Sequence, residues 1–398
     1  MRILFMARAV DINANFGDSV HVRELLRAWS GNRHFVDVLC TATDATNGGV
    51  ERSGVPMIRF HVMRTLGISR FYPVRQILAA VRALAVLKTT KLDVIYARPP
   101  INLSGTFDPL LEIVISWLSQ APLVLEINGW AEQEADIIGH SRFFAFRSAN
   151  QRALRMLFRK VKGFVPVDEG LGERLKDEMA VDPTRICVIP NGADPVLFTP
   201  GDKEAARRAL KLETRHPILV FVGYLGLEAD LHGVIEAIPA LTDEFPGILL
   251  LVVGGGTDLS RYRDLARKVG AEDHVTFVGA VDHKRVPTYV QASDVALVAM
   301  RRDVTTNPLK LYEYWCCAKP VIASDQTSLQ LVRNVGGGVI ANGDGAGGWI
   351  QAISALVRST AKAEEMGARG RDYVLAERTW SATADRVLSF LRKIESNP

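Results

Sequence analysis

Cysteine is scarce in this chain. Four residues, Cys40, Cys187, Cys316 and Cys317, stand among 398. Two are adjacent and none has CxxC or metal-ligand spacing, which argues against a disulfide framework or a zinc site. Free thiols suit a reducing cytoplasm. Long apolar runs are also missing. The longest, near residues 110–125, is broken by Glu112, Ser119, Gln120 and Pro122, so no membrane span is expected. The start, Met1 to Met6, is too short for a signal-peptide core. No short internal repeat or low-complexity tract occurs. With 48% apolar and 23% charged residues, the composition is globular and excludes disorder, collagen and coiled coil as the main state.

Acidic residues are missing from one long stretch. None stands between Arg52 and Asp93, while Arg59, Arg64, Arg70, Arg75, Arg82, Lys88 and Lys91 do. A second basic stretch runs from Ser141 to Gly163. Residues 1–165 hold 21 Lys/Arg against 13 Asp/Glu, a charge of +8; the whole chain is only +4, so the remainder is −4. This asymmetry points either to an anionic partner on the first half or to solvated helix faces. No recognised nucleic-acid module accompanies the basic residues, so nucleic acid is not an expected partner.

The length suits two domains of roughly 150–200 residues. Short apolar segments alternate with helical patterns: Ile3–Met6, Val36–Leu39, Val94–Tyr96, Leu123–Ile127 and Gly163–Val167. A second series follows: Ile218–Val222, Leu249–Val253, Val275–Val278, Val295–Val298 and Pro320–Ala323. Such alternation predicts α/β architecture, with parallel sheets covered on both faces. Between the series, Val188–Asp194 and Phe198–Gly201 are rich in proline, asparagine and glycine and mark a linker. Two doubly wound halves predict a cleft with ligands at the strands' carboxyl ends.

The sharpest candidate for chemistry is Asn307-Pro-Leu-Lys-Leu-Tyr-Glu-Tyr314. Pro308 suits a helix's first turn. Lys310 and Glu313 are three apart and share a face. The helix N-terminus and lysine suit phosphate, and the carboxylate suits a ribose diol; an ordinary Lys–Glu surface pair has the same spacing. Gly254-Gly255-Gly256 permits either close approach to a ligand or a simple strand–helix turn. Gly17 is equally ambiguous, with Asp18 and Ser19 as possible caps. Gly223 and Tyr224 end a strand, and His232 lies in a loop near them. Glu126, with Asn128, Trp130, Glu132 and Glu134, ends a first-half strand; these carboxylates suit either acid–base work or helix capping. Cys316 and Cys317 fall in an apolar helical run and read as core.

Together these segments resemble the retaining glycosyltransferases of family 4, which have the GT-B fold. Val188–Asp194 with Phe198–Pro200 is similar to the family's interdomain signature. Leu250–Gly256, His274–Gly279, Val286–Tyr289 and Ala292–Asp294 are similar to its donor-domain core. Asn307–Glu313 with Lys319–Ser324 is similar to its nucleotide-sugar helix. The resemblance implies two Rossmann-like domains facing each other across a cleft. One is an acceptor domain, residues 1–190 plus a returning helix in 376–398; the other is a donor domain, residues 191–375.

The resemblance also implies site roles. Glu313 matches the second glutamate of the family's motif, while the first falls on Thr305. Thr306, Asn307 and Pro308 stand in its Gly-Phe-Gly place. Tyr224 replaces a phosphate-binding arginine, His232 a lysine, and Asn128 a histidine near acceptor and donor. Lys310 then supplies the missing positive charge. The implied donor contacts are Gly17, Gly223, Tyr224, His232, Gly254, Gly256, Val278, Thr305 through Leu311, and Glu313; the implied acceptor contacts are His21, Glu126, Asn128 and Trp130. Lys310, Glu313 and Asn128 are the expected catalytic residues. The implied reaction moves a sugar from a nucleoside diphosphate sugar to a glycan or polyprenyl-diphosphate-linked acceptor. No cofactor or metal is expected. A cytoplasmic protein in bacterial envelope or exopolysaccharide assembly is implied, with peripheral contact to anionic membrane through basic residues and Phe143, Phe144, Phe146 and Phe158. A non-catalytic binding protein and a nucleotide-sugar epimerase are the alternatives on the same fold.

Overall fold

The computed structural model describes residues 1–30, 34–42, 57–64, 72–101, 106–131, 147–226, 228–302, 304–305, 307–343 and 345–396. The chain divides into two compact units. Unit 1 comprises Met1–Asn191, Thr305–Asn307 and Trp380–Pro398; unit 2 comprises Gly192–Val304 and Pro308–Thr379. The sequence places the boundaries at 190/191 and 375/376; the units change at 191/192 and 379/380, with Thr305–Asn307 also belonging to unit 1.

Unit 1 is built on six parallel strands: β1 (Arg2–Asp11), β2 (Phe35–Ala42), β3 (Ile58–Arg64), β4 (Val94–Ala97), β5 (Leu123–Ile127) and β6 (Gly163–Pro166). Their order is β3-β2-β1-β4-β5-β6. Successive residues of β1 enter opposite layers. Leu4 and Met6 join one core, with Ile95, Leu123 and Leu125. Ile3 and Phe5 join the other, with Val36, Val94 and Val124. Burial on both faces is why these strands read as continuous apolar runs rather than as alternation. The first layer is covered by α2 (Tyr72–Thr89), α3 (Leu110–Ser119) and α4 (Arg147–Phe158). The second is covered by α1 (Gly17–Ser30) and the helix Trp380–Ser396, which pack together. That last helix therefore returns to the first half. Trp29 Nε1 donates to Ala384 O at 3.3 Å, and Thr383 Oγ1 to Pro190 O at 3.2 Å.

Unit 2 repeats the plan with β7 (Ile218–Val222), β8 (Leu249–Val253), β9 (Val275–Gly279), β10 (Val295–Val298), β11 (Val321–Ser324) and β12 (Gly338–Ala341), in the order β12-β11-β10-β7-β8-β9. Two strands were not foreseen. The edge strand β3, Ile-Arg-Phe-His-Val-Met-Arg, alternates apolar and basic residues. β12 has only four residues and opens on Gly338, where a Cβ would lie 1.9 Å from Val321 O. Cys316 and Cys317 are buried in the core, and burial pushes both thiols up to about 12.

Candidate functional site

In unit 2 the helix Leu309–Cys316 follows Pro308, which is its N-cap rather than a first-turn residue. Leu309 is its first residue. Leu311, expected to touch donor, is 1% exposed and packs in the core instead, because the helix turns that face inward. Tyr314 holds the helix against the sheet, its hydroxyl oxygen accepting from Val222 N at 2.7 Å. That tie sets Lys310 beside the end of β7. The Lys310 ammonium lies 4.1 Å from the Phe221 ring centroid. Burial lowers its pKa to about 8, against the opposing pull of Glu228 and Glu313. Gly223 (φ +150°) leaves room for it: a Cβ there would come within 2.6 Å of Lys310 Nζ.

The glycine cluster has a different explanation from ligand approach. A Cβ at Gly254 would meet Gly223 O at 1.9 Å, and one at Gly256 would meet Leu225 O at 2.1 Å. The two strand-end turns bind each other, with Leu225 N donating to Gly255 O at 2.9 Å. Gly254 and Gly256 are therefore required by chain crossing chain. Tyr224 is 42% exposed in that turn. His232 opens the helix His232–Glu244, with ring and backbone nitrogens both on Asp230 Oδ1, at 2.8 and 3.1 Å. Val278 is partly buried against the core. Lys319 and Asp294, from the family-like segments, are structural. Lys319 Nζ donates to Gln291 O and Ser293 O, while Asp294 pairs with Arg207 at 2.7 Å and Lys203 at 3.0 Å.

Glu313 is 7% exposed, and His283 Nε2 is 2.8 Å from its Oε1. His283 stands in the short turn after β9, its ring 5.2 Å from that of Phe198. Sequence reasoning missed it, because a lone loop histidine carries no spacing signal. Its contact fixes the carboxylate proposed for ribose. His283→Ala is therefore expected to weaken UDP or GDP binding roughly tenfold while leaving inorganic diphosphate binding unchanged. Titration calorimetry checks this; equal loss with both ligands would refute the ribose role.

In unit 1 a buried polar chain has Glu126 at its centre. Glu126 is 1% exposed. It accepts from Tyr96 Oη, Asn128 Nδ2 and His21 Nε2, the last at 3.1 Å. Burial opposes its ionisation, but the charges of His21 and Arg98 and the donors around it override that and hold the carboxyl at about 2. His21 Nδ1 lies 2.8 Å from Asn191 Oδ1. Asn191 in turn donates from its backbone N to Asn307 Oδ1 at 3.0 Å and from Nδ2 to Asn307 O at 2.6 Å.

These contacts correct several expectations. Glu126 and His21 do not present free side chains to an acceptor, because protein partners hold them in the interior. Trp130, also assigned to acceptor, is 1% exposed, edge-on to Phe107 and under the Arg174 guanidinium at 4.5 Å. Asn128 is only partly buried, and its amide is engaged with Glu126. Of the carboxylates weighed for acid–base work, Glu126 is engaged by Tyr96, Asn128 and His21, and Glu132 and Glu134 lie outside the described residues. Thr305 packs near Gly170, where a Cβ would lie 3.2 Å from its methyl carbon. Thr306 is outside the described residues. Gly17 is the exposed first residue of α1. Asp18 and Ser19 do not cap that helix: Asp18 pairs with Arg98, and Ser19 Oγ donates to Asp11 O at 2.6 Å.

Two doubly wound parallel sheets with a returning C-terminal helix define a GT-B protein. Two family profiles divide the chain: residues 17–197 match Glycosyltransferase Family 4, and residues 202–373 match Glycosyl transferases group 1. The chain belongs to this glycosyltransferase family. It is 33% identical over 232 residues to the D-inositol 3-phosphate glycosyltransferase of Rhodococcus erythropolis, covering 56% of this chain and 52% of that protein. It is 29% identical over 213 residues to a GDP-mannose-dependent alpha-(1-6)-phosphatidylinositol monomannoside mannosyltransferase of Mycobacterium tuberculosis, covering 51% and 55%. The chain spans about half the length of these curated relatives. Sucrose-phosphate synthase from Thermosynechococcus elongatus superposes with a TM-score of 0.77 at 20% identity, covering 100% of each chain. Anabaena HepE in complex with UDP superposes at 0.72 and 16%, covering 99% of this chain and 100% of that one. Both likenesses show the fold.

Proposed function

We propose that this protein transfers a sugar from a nucleoside diphosphate sugar to a glycan or lipid-linked acceptor, with retention at the anomeric carbon. The observation that carries the reading is the placement of Lys310 beside Gly223 at the end of β7, with Glu313 one turn further along the same helix. Lys310 meets the diphosphate and Glu313 the ribose. The acceptor oxygen bonds to the anomeric carbon as the carbon–phosphate oxygen bond breaks, and the acceptor proton passes to the departing diphosphate on the same face. The chain's task is positioning and stabilising leaving-group charge. No protein nucleophile, cofactor or metal enters this scheme. The named relatives use GDP-mannose or act on inositol phosphate, and one structural neighbour holds UDP, so UDP and GDP sugars are the donors to try first.

The basic first half supports an anionic acceptor, of the polyprenyl-diphosphate class, at the cytoplasmic face of a membrane in bacterial envelope or exopolysaccharide assembly. No helix of the described residues is long and apolar enough to cross a membrane, so the proposed contact is peripheral. The test is a thermal-shift panel of UDP, GDP, ADP and dTDP, followed by turnover with the matching sugar and proton NMR of the product. One nucleotide is expected to raise the melting temperature, and the product is expected to keep the donor's anomeric configuration. An inverted product would refute retention; no shift with any nucleotide would refute the donor site.

A further inference from the structure

We infer that the outward face formed by α2 and α3 of unit 1 docks on an anionic lipid bilayer. The inference rests on the membrane contact proposed above and gives it a place. Both helices cover the same face of the sheet and pack against each other; Ala79, Ala83 and Val86 of α2 enter one core with Ile115 of α3. Their outward sides are also apolar. On α2, Ile77, Val81 and Leu84 are 64%, 59% and 42% exposed; on α3, Leu110, Val114 and Trp117 are 55%, 41% and 71% exposed. Each set recurs at i, i+4 and i+7, so each is one stripe along its helix. The two adjacent stripes form an apolar face larger than scattered surface residues make.

The exposed charges on the described residues of these helices have one sign, and the flanking carboxylates Asp93 and Asp108 are taken up by Arg2 N and by Arg8. α2 contains no carboxylate and exposes Arg82 and Lys88, with Lys91 just beyond. The only carboxylate of α3 is Glu112, fully buried and paired with Arg8 at 2.6 Å. α4, on the same core, has no carboxylate and exposes Arg152. An apolar centre with cationic flanks suits lipid tails beneath phosphate headgroups, with Trp117 at the boundary. A second copy fits less well, because two-fold pairing would set the same cationic flanks against each other without a carboxylate to match. Of the aromatic anchors expected in residues 141–163, only Phe158 falls among the described residues. Phe158 is 1% exposed inside the core, and Phe143, Phe144 and Phe146 lie outside the described residues.

The experiment is flotation of the full chain on phosphatidylglycerol/phosphatidylethanolamine vesicles and on phosphatidylcholine vesicles. Tryptophan quenching by lipids brominated high in the acyl chain is read in parallel. Trp117 is the one exposed tryptophan of six, the others being at most 7% exposed, so the quenching reports this face. Expected results are flotation on anionic vesicles, quenched emission, and roughly tenfold weaker partitioning of Val81→Glu/Val114→Glu. Both positions are exposed, and an unchanged melting temperature confirms that the variant folds. Arg82→Ala/Lys88→Ala is a second variant, expected to lose the anionic preference. If the wild type floats on neither vesicle, the membrane contact itself fails. If wild type and glutamate variant float alike and Trp117 stays unquenched, the contact stands but this face is wrong. A concentration-dependent dimer without flotation, abolished by the glutamates, overturns the inference in favour of self-association.

Discussion

Lys310→Ala is expected to lower nucleotide affinity by two orders of magnitude or more, an estimate of about 3 kcal/mol for a charge-assisted contact in a buried site. The consequence extends to pH. With Lys310 at about 8 in the free protein, the ammonium is mostly present at pH 7 and mostly lost at pH 9. The terminal phosphate of a nucleoside diphosphate is already ionised across that range, so wild-type affinity should fall about tenfold between pH 7 and pH 9. Lys310→Arg should abolish that fall, since guanidinium keeps its charge. Stability should move the other way. The folded-state pKa is depressed below the ordinary lysine value, so the burial penalty is fully present below pH 8 and disappears as pH rises toward 10.5. Lys310→Met should therefore stabilise the ligand-free protein near neutrality by up to about 3 kcal/mol. Calorimetric titration of UDP and GDP at several pH values, with melting curves, reads both effects. Undiminished binding by Lys310→Ala would remove this residue from the site.

The contrast between Lys310 and its neighbours shows what the sequence could carry. Helix spacing and end position are local properties, so the placing of Lys310 and Glu313 in the opening turns of one helix was legible from Asn307–Tyr314 alone. The ten foreseen strands were legible because both faces of each sheet are buried. β3 was hidden by its basic residues at the sheet edge, and β12 by Gly336–Gly338. Contacts across the fold left no local trace. Nothing near Gly254 says that a carbonyl from residue 223 sits against it, and nothing near His283 says that Glu313 is its partner. Trp130, implied as an acceptor contact by its place after a strand, is enclosed by Phe107 and Arg174. The exposed stripes of α2 and α3 were read as apolar or basic sequence, and only burial separates their inward from their outward residues.

Glu126→Gln is expected to weaken folding of unit 1, although the change removes one charge and almost no volume. The carboxylate faces donors from Tyr96, Asn128 and His21, with Arg98 Nη1 4.0 Å away. An amide would offer one acceptor oxygen and turn an N–H₂ toward the remaining donors. Both ring nitrogens of His21 face oxygen atoms, Glu126 on one side and Asn191 on the other. The glutamine would remove the anion that faces Arg98. The folded-state carboxyl lies at about 2 rather than near 4.5. Its contribution is thus fully present above pH 4.5 and lost as pH falls through 4.5 toward 2, and it amounts to about 3 kcal/mol by linkage. For a domain of this size that corresponds to a drop of roughly 6–12 °C in melting temperature at pH 6–7. The gap between wild type and variant should close progressively below pH 4.5, because acid neutralises in the wild type what the mutation neutralises outright. A gap that stayed constant down to pH 3 would mean that shape, and not the buried anion, holds the His21–Asn191–Asn307 chain in place.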